Sequence, residues 1–253
     1  MCKEYLWAGK APYETDLRPS IEAHCVPGAK SAVVVCPGGG YTMKAIDHEG
    51  AAFCRLFNDA GYSAYQLDYR VRPCHYEAPL SDALRAMRMV RAKGYEKVGI
   101  IGFSAGGNLV CNVANFFDYG KADAEDPIER VSSRPDALIA CYAVVSFCTH
   151  AHEGSARSLL GEHYGEEALM HRFSAEMNVR EDAPHAIIWH TLEDQAVPVE
   201  NSLMLAQAYR AKHVPFEMHI FPQGAHGLGL AQDIPGACQW PQLMLDWLAR
   251  EGF

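Results

Sequence analysis

The segment Val98-Gly99-Ile100-Ile101-Gly102-Phe103-Ser104-Ala105-Gly106-Gly107-Asn108 decides the fold of this 253-residue chain. An apolar run typical of a β-strand ends in Gly102-Phe103-Ser104-Ala105-Gly106, and helix-forming sequence follows. This is the G-x-S-x-G pattern, in which a strained turn between strand and helix projects the serine hydroxyl above the edge of a sheet. Glycines flank the serine because side chains there would collide with the crossing strand and helix. The segment therefore predicts a nucleophile at Ser104, provided that the chain also supplies a base, an acid and an oxyanion hole.

Predicted strands and helices alternate along the chain. Strands are predicted at residues 31–36, 63–69, 97–102, 137–145, 186–190 and 215–221, and the apolar runs at 31–36 and 137–145 are typical of strands buried on both faces. Apolar residues at helical spacing predict helices at 53–60, 78–93 and about 199–212, and two more that begin near 104 and 241. This alternation predicts an α/β fold, with a mostly parallel central sheet and helices on both faces. We expect a single domain over residues 1–253, because no linker, repeat or low-complexity tract interrupts the pattern.

Three segments carry weaker patterns. Among the first 29 residues, only 19–26 alternates in the manner of a strand. Residues 118–135 are polar, contain two prolines and predict a loop. Residues 147–183 predict short helices, and this insertion is the natural place for a small lid over the sheet. No longer insertion is available to form a large lipid-binding cap, which favours a small polar substrate.

Composition and charge exclude several classes of function. The formal net charge of −9 argues against binding to nucleic acid or to an anionic membrane surface. No apolar run reaches the about 18 residues that a membrane-spanning helix needs. The segment Met1–Lys10 lacks the charged region and apolar core of a signal peptide. Nine cysteines occur without a C-x-x-C pair, and several lie in apolar runs, so we expect a reduced, cytoplasmic protein.

The histidines and cysteines carry no recognisable metal pattern. The chain has twelve histidines, but it has no H-E-x-x-H motif and no zinc-type spacing of cysteine and histidine. The pair His150 and His152 is too weakly patterned to count as a ligand set. We therefore expect neither a metal site nor a cofactor.

A base and an acid for Ser104 follow later predicted strands. His226 lies in a glycine-containing loop after the last strand, where it is either the base or a solvent-exposed loop residue. The order Ser, Asp, His along the chain favours the base. Glu193 and Asp194 both stand where the acid belongs, and we choose Asp194 because the nearby Val197-Pro198 indicates a tight turn that aims a short carboxylate inward. Asp194 could also cap the helix near Val197, and the two roles are compatible.

An oxyanion hole requires two backbone N–H groups. One is expected from Ala105, the residue after the nucleophile, and the other from Gly38-Gly39-Gly40 at the end of an early strand. The glycine run could instead be an ordinary turn. It does not fit phosphate binding, because it lacks both the G-x-G-x-x-G pattern and a Walker lysine.

These motifs together resemble the α/β-hydrolase superfamily. The likeness is closest to the small esterases grouped with acetylxylan esterases, hormone-sensitive-lipase-like and dienelactone-hydrolase-like enzymes. It rests on Pro37-Gly38-Gly39-Gly40-Tyr41, Gly102-Phe103-Ser104-Ala105-Gly106-Gly107, His190-Thr191 with Asp194 and Val197-Pro198, and Phe221-Pro222 with His226-Gly227. One departure is Pro37, which stands where the lipase-type relatives carry the histidine of HGGG. The second and third glycines of that motif map to Gly39 and Gly40, so the resemblance assigns the oxyanion role to those two residues.

The resemblance implies hydrolysis of a small-molecule carboxylic ester, often an acetyl ester of a sugar or xylo-oligosaccharide, without a cofactor. A peptidase or amidase that uses the same three residues is an alternative, because esters and amides share the tetrahedral intermediate. A non-catalytic binding module is a second alternative, although such a module would typically have lost a catalytic residue. Tyr41 either binds substrate by stacking on a sugar or packs in the core. Arg70 either lines the pocket or pairs with Asp82 as structural support.

Overall fold

The computed structural model describes residues 2–13 and 16–253. Within these residues, eight strands form one sheet in the order β1-β2-β4-β3-β5-β6-β7-β8. The strands are β1 Cys2–Tyr5, β2 Ser20–His24, β3 Ser31–Cys36, β4 Ser63–Asp68, β5 Lys97–Phe103, β6 Ala137–Cys141, β7 His185–Thr191 and β8 Phe216–Phe221. Neighbouring strands from β4 through β8 are parallel, whereas β1 and β2 add an antiparallel edge. The prediction of a mostly parallel α/β sheet is confirmed.

Helices cover both faces of this sheet, as predicted. They are α1 Ala52–Asp59, α2 Ala78–Arg91, α3 Ala105–Phe116, α4 Glu153–Leu160, α5 Glu167–Arg172, α6 Glu200–Ala211 and α7 Trp240–Arg250. Side chains of α2, α3 and α6 pack on one face, and those of α1 and α7 pack on the other. Successive residues of β3 contribute to opposite faces, with Val34 in the first core and Val33 and Val35 in the second. Burial of both faces explains why β3 and β6 are continuous apolar runs.

Strand β6 ends earlier than the sequence predicts. The apolar run continues to residue 145, but pairing stops at Cys141, and Tyr142 has a φ of 34°. The N–H of Val144 donates to the carbonyl of Ser104 at 3.0 Å, and the N–H of Val145 donates to Asn201 Oδ1 at 2.8 Å. These apolar residues therefore leave the sheet to hold the turn that carries Ser104.

The insertion at residues 147–183 consists of short helices, as predicted. Three asparagines of α3, the helix after Ser104, lie along one face of that helix. Asn108 and Asn112 donate to the carbonyl of Phe173, and Asn115 donates to the carbonyl of Ala175. Because these amides are buried, the end of the insertion is attached firmly to α3.

The edge strand β1 was not predicted, since its four residues carry no clear alternation.

The cysteine side chains that the structure describes are all free thiols. Among the described residues, no helix combines the length and the apolar character that crossing a membrane requires.

A buried ion pair joins the end of β4 to α2, which confirms the supporting role of Arg70. Its Nη2 lies 2.7 Å from Asp82 Oδ1, and the two side chains are 1% and 0% exposed. We expect Asp82→Ala to lower the free energy of unfolding by about 3–5 kcal/mol, because the guanidinium is left buried without its carboxylate. Urea denaturation measures this loss. The exposed pair Lys30–Glu96 provides the control: Glu96→Ala is expected to cost at most about 1 kcal/mol. Equal effects of the two variants would contradict the prediction.

Candidate active site

Ser104 occupies the turn between β5 and α3 in a strained conformation. Its φ and ψ are 53° and −118°, a region that side-chain-bearing residues rarely adopt. The Ser104 N–H donates to the carbonyl of Cys141 at 3.1 Å, so neighbouring backbone holds the residue in place. Gly106 permits this turn, since a Cβ there would lie 2.3 Å from the carbonyl oxygen of Cys36. The local geometry is that of a nucleophile elbow.

The structure brings Ser104, His226 and Asp194 together in one hydrogen-bonded chain. His226 Nε2 lies 2.7 Å from Ser104 Oγ, and His226 Nδ1 lies 2.6 Å from Asp194 Oδ2. The three residues come from the turn after β5, the loop after β8 and the loop after β7. They meet at the carboxyl ends of parallel strands, where loops converge in sheets of this kind. Ser104 is 8% exposed, so the residue keeps a small solvent-accessible area.

Asp194 lies in the tight turn that its sequence context indicated. Its Oδ1 accepts the N–H groups of Ala196 and Val197, each at 2.9 Å, while Oδ2 is directed toward His226. Burial opposes ionisation, but hydrogen bonds from His190, His226 and the Val197 N–H outweigh it and hold the pKa of Asp194 well below its usual range. Asp194 thus stays ionised beside the imidazole, and it caps its own turn rather than α6, which begins at Glu200.

Glu193 is exposed, as expected of the residue not chosen as the acid. Its Oε2 nevertheless accepts the N–H of Gly224 at 3.0 Å. This contact links the loop after β7 to the loop that carries His226.

His190 is a second histidine that contacts Asp194, and no role for it was predicted from the sequence. It is fully buried, with Nε2 3.2 Å from Asp194 Oδ2 and 2.9 Å from the carbonyl of Val197. Since a carbonyl only accepts, Nε2 carries a proton, while Nδ1 lies 2.8 Å from Ser202 Oγ, within hydrogen-bond distance. The available signal was a histidine near the end of the otherwise apolar buried strand β7.

The loop after β3 presents free backbone donors beside Ser104. Gly39 and Gly40 have φ values of 132° and 63°, which favour glycine. Among the described residues, no protein acceptor takes the N–H of Gly39 or Gly40, whereas the N–H of Gly38 donates to Glu49 Oε2. Ala105 is the first residue of α3, so its N–H has no acceptor within the helix. Gly39, Gly40 and Ala105 thus offer unpaired donors, as an oxyanion hole requires.

The structure does not place Tyr41 where a substrate could stack on it. The side chain is 1% exposed, and its hydroxyl donates to Asn108 Oδ1 at 2.9 Å. The prediction of a sugar-stacking role for Tyr41 is therefore corrected to the alternative, packing in the core. Its ring packs edge to face on Tyr69, with centroids 6.3 Å apart, and this contact joins residues that are distant in sequence.

His152 lies close to the candidate site, just before α4. Its Nδ1 accepts the N–H of Ser155 at 3.1 Å, which leaves the proton on Nε2. Burial and the nearby charge of His226 lower the pKa of His152, whereas the carboxylate of Asp194 opposes this shift. The lowered pKa favours the neutral form of His152 beside His226 and Asp194. Within residues 2–13 and 16–253, no group of three or more potential ligands is arranged to hold a metal ion.

The sheet, the strained serine turn and the Ser, Asp, His order define an α/β-hydrolase. The family model BD-FAE matches residues 26–209, and the chain belongs to the BD-FAE family. The solved structure of an acetyl ester-xyloside bifunctional hydrolase from Caldicellulosiruptor lactoaceticus is 40% identical to this chain, with a TM-score of 0.95. The match covers 100% of this chain and 97% of that one. The carboxylesterase Cest-2923 from Lactobacillus plantarum WCFS1 shares the fold at 22% identity and a TM-score of 0.76, covering 99% and 97% of the two chains.

Two curated relatives are longer proteins. Endo-1,4-beta-xylanase B of Butyrivibrio fibrisolvens is 39% identical over 215 residues, which cover 81% of this chain and 33% of that protein. An acetylxylan esterase of Xylanibacter ruminicola is 30% identical over 227 residues, which cover 86% of this chain and 45% of that protein. The chain therefore matches less than half the length of either relative.

Proposed function

We propose that this protein is a serine carboxylester hydrolase that removes acetyl groups from sugars or xylo-oligosaccharides. The observation that carries the proposal is the hydrogen-bonded chain from Ser104 through His226 to Asp194, with distances of 2.7 and 2.6 Å. The names of the relatives supply the substrate class, because they include an acetylxylan esterase and an acetyl ester-xyloside hydrolase.

The proposed reaction proceeds through an acyl-enzyme. Ser104 Oγ attacks the ester carbonyl while His226 Nε2 takes the hydroxyl proton. Asp194 accepts the Nδ1 proton in a hydrogen bond and stabilises the imidazolium that forms. The alcohol leaves with the proton from His226. A water molecule then attacks the acyl carbon while His226 takes a proton from it, and that proton passes to Ser104 Oγ when the acyl–oxygen bond breaks. Acetate and free Ser104 are the products of this second step.

The oxyanion of each tetrahedral intermediate is proposed to bind the N–H groups of Gly39, Gly40 and Ala105. Their lack of protein acceptors supports this assignment, because preorganised donors require no rearrangement when charge develops. Loss of one such donor typically costs about 3 kcal/mol of transition-state stabilisation.

We also propose a small polar substrate and a cytoplasmic location. The insertion at residues 147–183 forms only short helices attached to α3 and leaves no broad apolar cap for a lipid chain. Free thiols at the described cysteines support a reducing compartment, since disulfides form in oxidising ones.

The proposed specificity predicts a steep dependence on acyl chain length. We expect kcat/KM for p-nitrophenyl esters to fall about 10-fold or more from acetate to butyrate, because a site that is proposed to fit an acetyl group would accommodate two further methylenes only at a cost in transition-state binding. We also expect release of acetate from acetylated xylo-oligosaccharides. Hydrolysis of a dipeptide amide, measured in parallel, is expected to be much slower. A preference for octanoate, or faster amide than ester hydrolysis, would contradict the proposal.

A further inference from the structure

A buried glutamate lies beneath the proposed oxyanion hole and takes no part in the reaction described above. Glu49 is 3% exposed and lies on a π-helical turn, Ile46–Ala51, that precedes α1. π-helical turns are rare in proteins, and a large share of those that occur lie at functional sites. Its nearest basic group is the exposed His48, whose Nε2 is 3.8 Å from Glu49 Oε1. A carboxyl group buried in this way is costly unless it is fully hydrogen-bonded.

One carboxyl oxygen of Glu49 binds the oxyanion loop, residues 37–41. Oε2 accepts the N–H of Gly38 at 2.7 Å, and the carbonyl of Gly38 accepts the N–H of Ala45 at 2.9 Å. The peptide groups on both sides of Gly38 are thereby fixed. Gly38 also packs on the nucleophile, since a Cβ there would lie 3.0 Å from Ser104 Cβ. The unpaired N–H groups of Gly39 and Gly40 follow directly along this constrained backbone.

The other carboxyl oxygen binds Tyr142, which contacts the histidine loop, residues 222–229. The Tyr142 hydroxyl donates to Glu49 Oε1 at 2.7 Å and accepts the N–H of Gly229 at 3.0 Å. The rings of Tyr142 and His226 pack edge to face, with their centroids 5.2 Å apart. Burial, reinforced by the charge of Glu49, raises the pKa of Tyr142 well above its ordinary value, so the phenol remains a donor.

We propose that Glu49 is a positioning residue that ties the oxyanion loop to the histidine loop through Gly38 and Tyr142. The inference rests on the proposed serine-hydrolase function. One carboxyl group sets the distance between two parts of the site that lie far apart in sequence. Displacements of about 1 Å in such an arrangement cost about 100-fold in rate, so a fixed connection between the loops matters for the chemical step.

The variant Glu49→Gln tests this connection. The amide of glutamine has one accepting oxygen and one donating NH2 group, so it cannot accept from both Gly38 and Tyr142, and at least one of the two hydrogen bonds is lost or reversed in direction. We expect kcat for p-nitrophenyl acetate to fall about 10- to 100-fold while KM changes by no more than about 2-fold, because an oxyanion hole acts on the transition state. Inhibition by a boronic acid, which forms a tetrahedral adduct on Ser104, is expected to weaken by a similar factor. The matched control is Glu176→Gln, which alters a carboxyl group with buried oxygens on the insertion and is expected to leave kcat unchanged.

A second variant distinguishes positioning from a general loss of stability. Tyr142→Phe removes only the hydroxyl that joins Glu49 to Gly229, and it remains informative if Glu49→Gln fails to fold. We expect Tyr142→Phe to lower kcat. We expect the double variant to be no more than about 2-fold slower than the slower single variant, because both substitutions break the same connection. Thermal unfolding and circular dichroism check that each variant is folded.

Several results would overturn the inference. They are unchanged kcat in folded Glu49→Gln or Tyr142→Phe, a double variant whose loss is the product of the single losses, or an equal loss in Glu176→Gln. Ser104→Ala separates this inference from the proposed function. If Ser104→Ala is inactive and Glu49→Gln is fully active, only the positioning role fails, whereas an active Ser104→Ala removes the serine mechanism itself.

Discussion

Replacing Ser104 with alanine is expected to lower kcat for p-nitrophenyl acetate by about 10⁴-fold or more, because no other group can form the acyl-enzyme. The fold should be retained, since the backbone bonds of Ser104 to Cys141 and Val144 do not involve its hydroxyl. Labelling with a fluorophosphonate provides a second readout. The wild-type protein should be labelled at Ser104, and the variant should not be labelled.

The control for this prediction is Ser132→Ala, which removes a serine hydroxyl from the loop before β6. That variant should keep full activity and be labelled at Ser104. A serine hydrolase that lacks its nucleophile loses far more than about 10-fold in activity. The result against the prediction is therefore a Ser104→Ala activity within about 10-fold of the wild-type value. It would exclude Ser104 as the nucleophile.

Replacing Asp194 with asparagine is expected to lower kcat by about 10³- to 10⁴-fold at pH 7. The amide can donate to His226 Nδ1 and so favours the tautomer in which Nε2 carries the proton and cannot accept one from Ser104. It also removes the negative charge that stabilises the imidazolium. Glu193→Gln is the matched control. It alters the adjacent carboxylate, which within residues 2–13 and 16–253 accepts a hydrogen bond only from the Gly224 N–H, and it is expected to cost less than about 10-fold.

Asp194 is also expected to make the free energy of unfolding depend on pH. Because the pKa of Asp194 is held below its usual range in the folded protein, its ionised form contributes stability above an unfolded pKa of about 4. That contribution is lost as the pH falls toward the folded value. Urea unfolding at pH 7 and pH 3 should therefore show the stability advantage of the wild type over Asp194→Asn shrinking at the lower pH. An advantage that grows on acidification, or an inactive Glu193→Gln beside an active Asp194→Asn, would contradict the assignment.

The main elements of the fold follow from local patterns in the sequence. Strand β3 is predicted within its observed bounds because every residue of Ser31–Cys36 is buried, which selects a continuous apolar run. The helix at Ala78–Arg91 follows from helical spacing in the same way, although its predicted end lies two residues too late. The turn at Ser104 follows from its flanking glycines, because their lack of a side chain is a local steric requirement.

Other features depend on contacts between residues that are distant in sequence. Whether Tyr41 borders a pocket or lies in the core depends on Asn108 and Tyr69, which pack against it only in the folded chain. The end of β6 was predicted too late for the same reason, since Val144 and Val145 bind Ser104 and Asn201 instead of a neighbouring strand. An apolar run in the sequence indicates that the segment is buried, but it does not show whether the buried segment is a strand or a loop.

The sequence alone was sufficient to predict a mostly parallel sheet with helices on both faces and the candidate positions Ser104, Asp194 and His226. Periodicity and turn chemistry are local properties, and the order of the three residues can be read along the chain. Only the tertiary structure places His190 on Asp194 and joins Gly38 to Tyr142 through Glu49. Glu49 and Tyr142 are 93 residues apart, and no local pattern marks a buried carboxyl group whose partners come from two other loops. Their pairing depends on the packing that brings the carboxyl ends of the strands to one edge of the sheet.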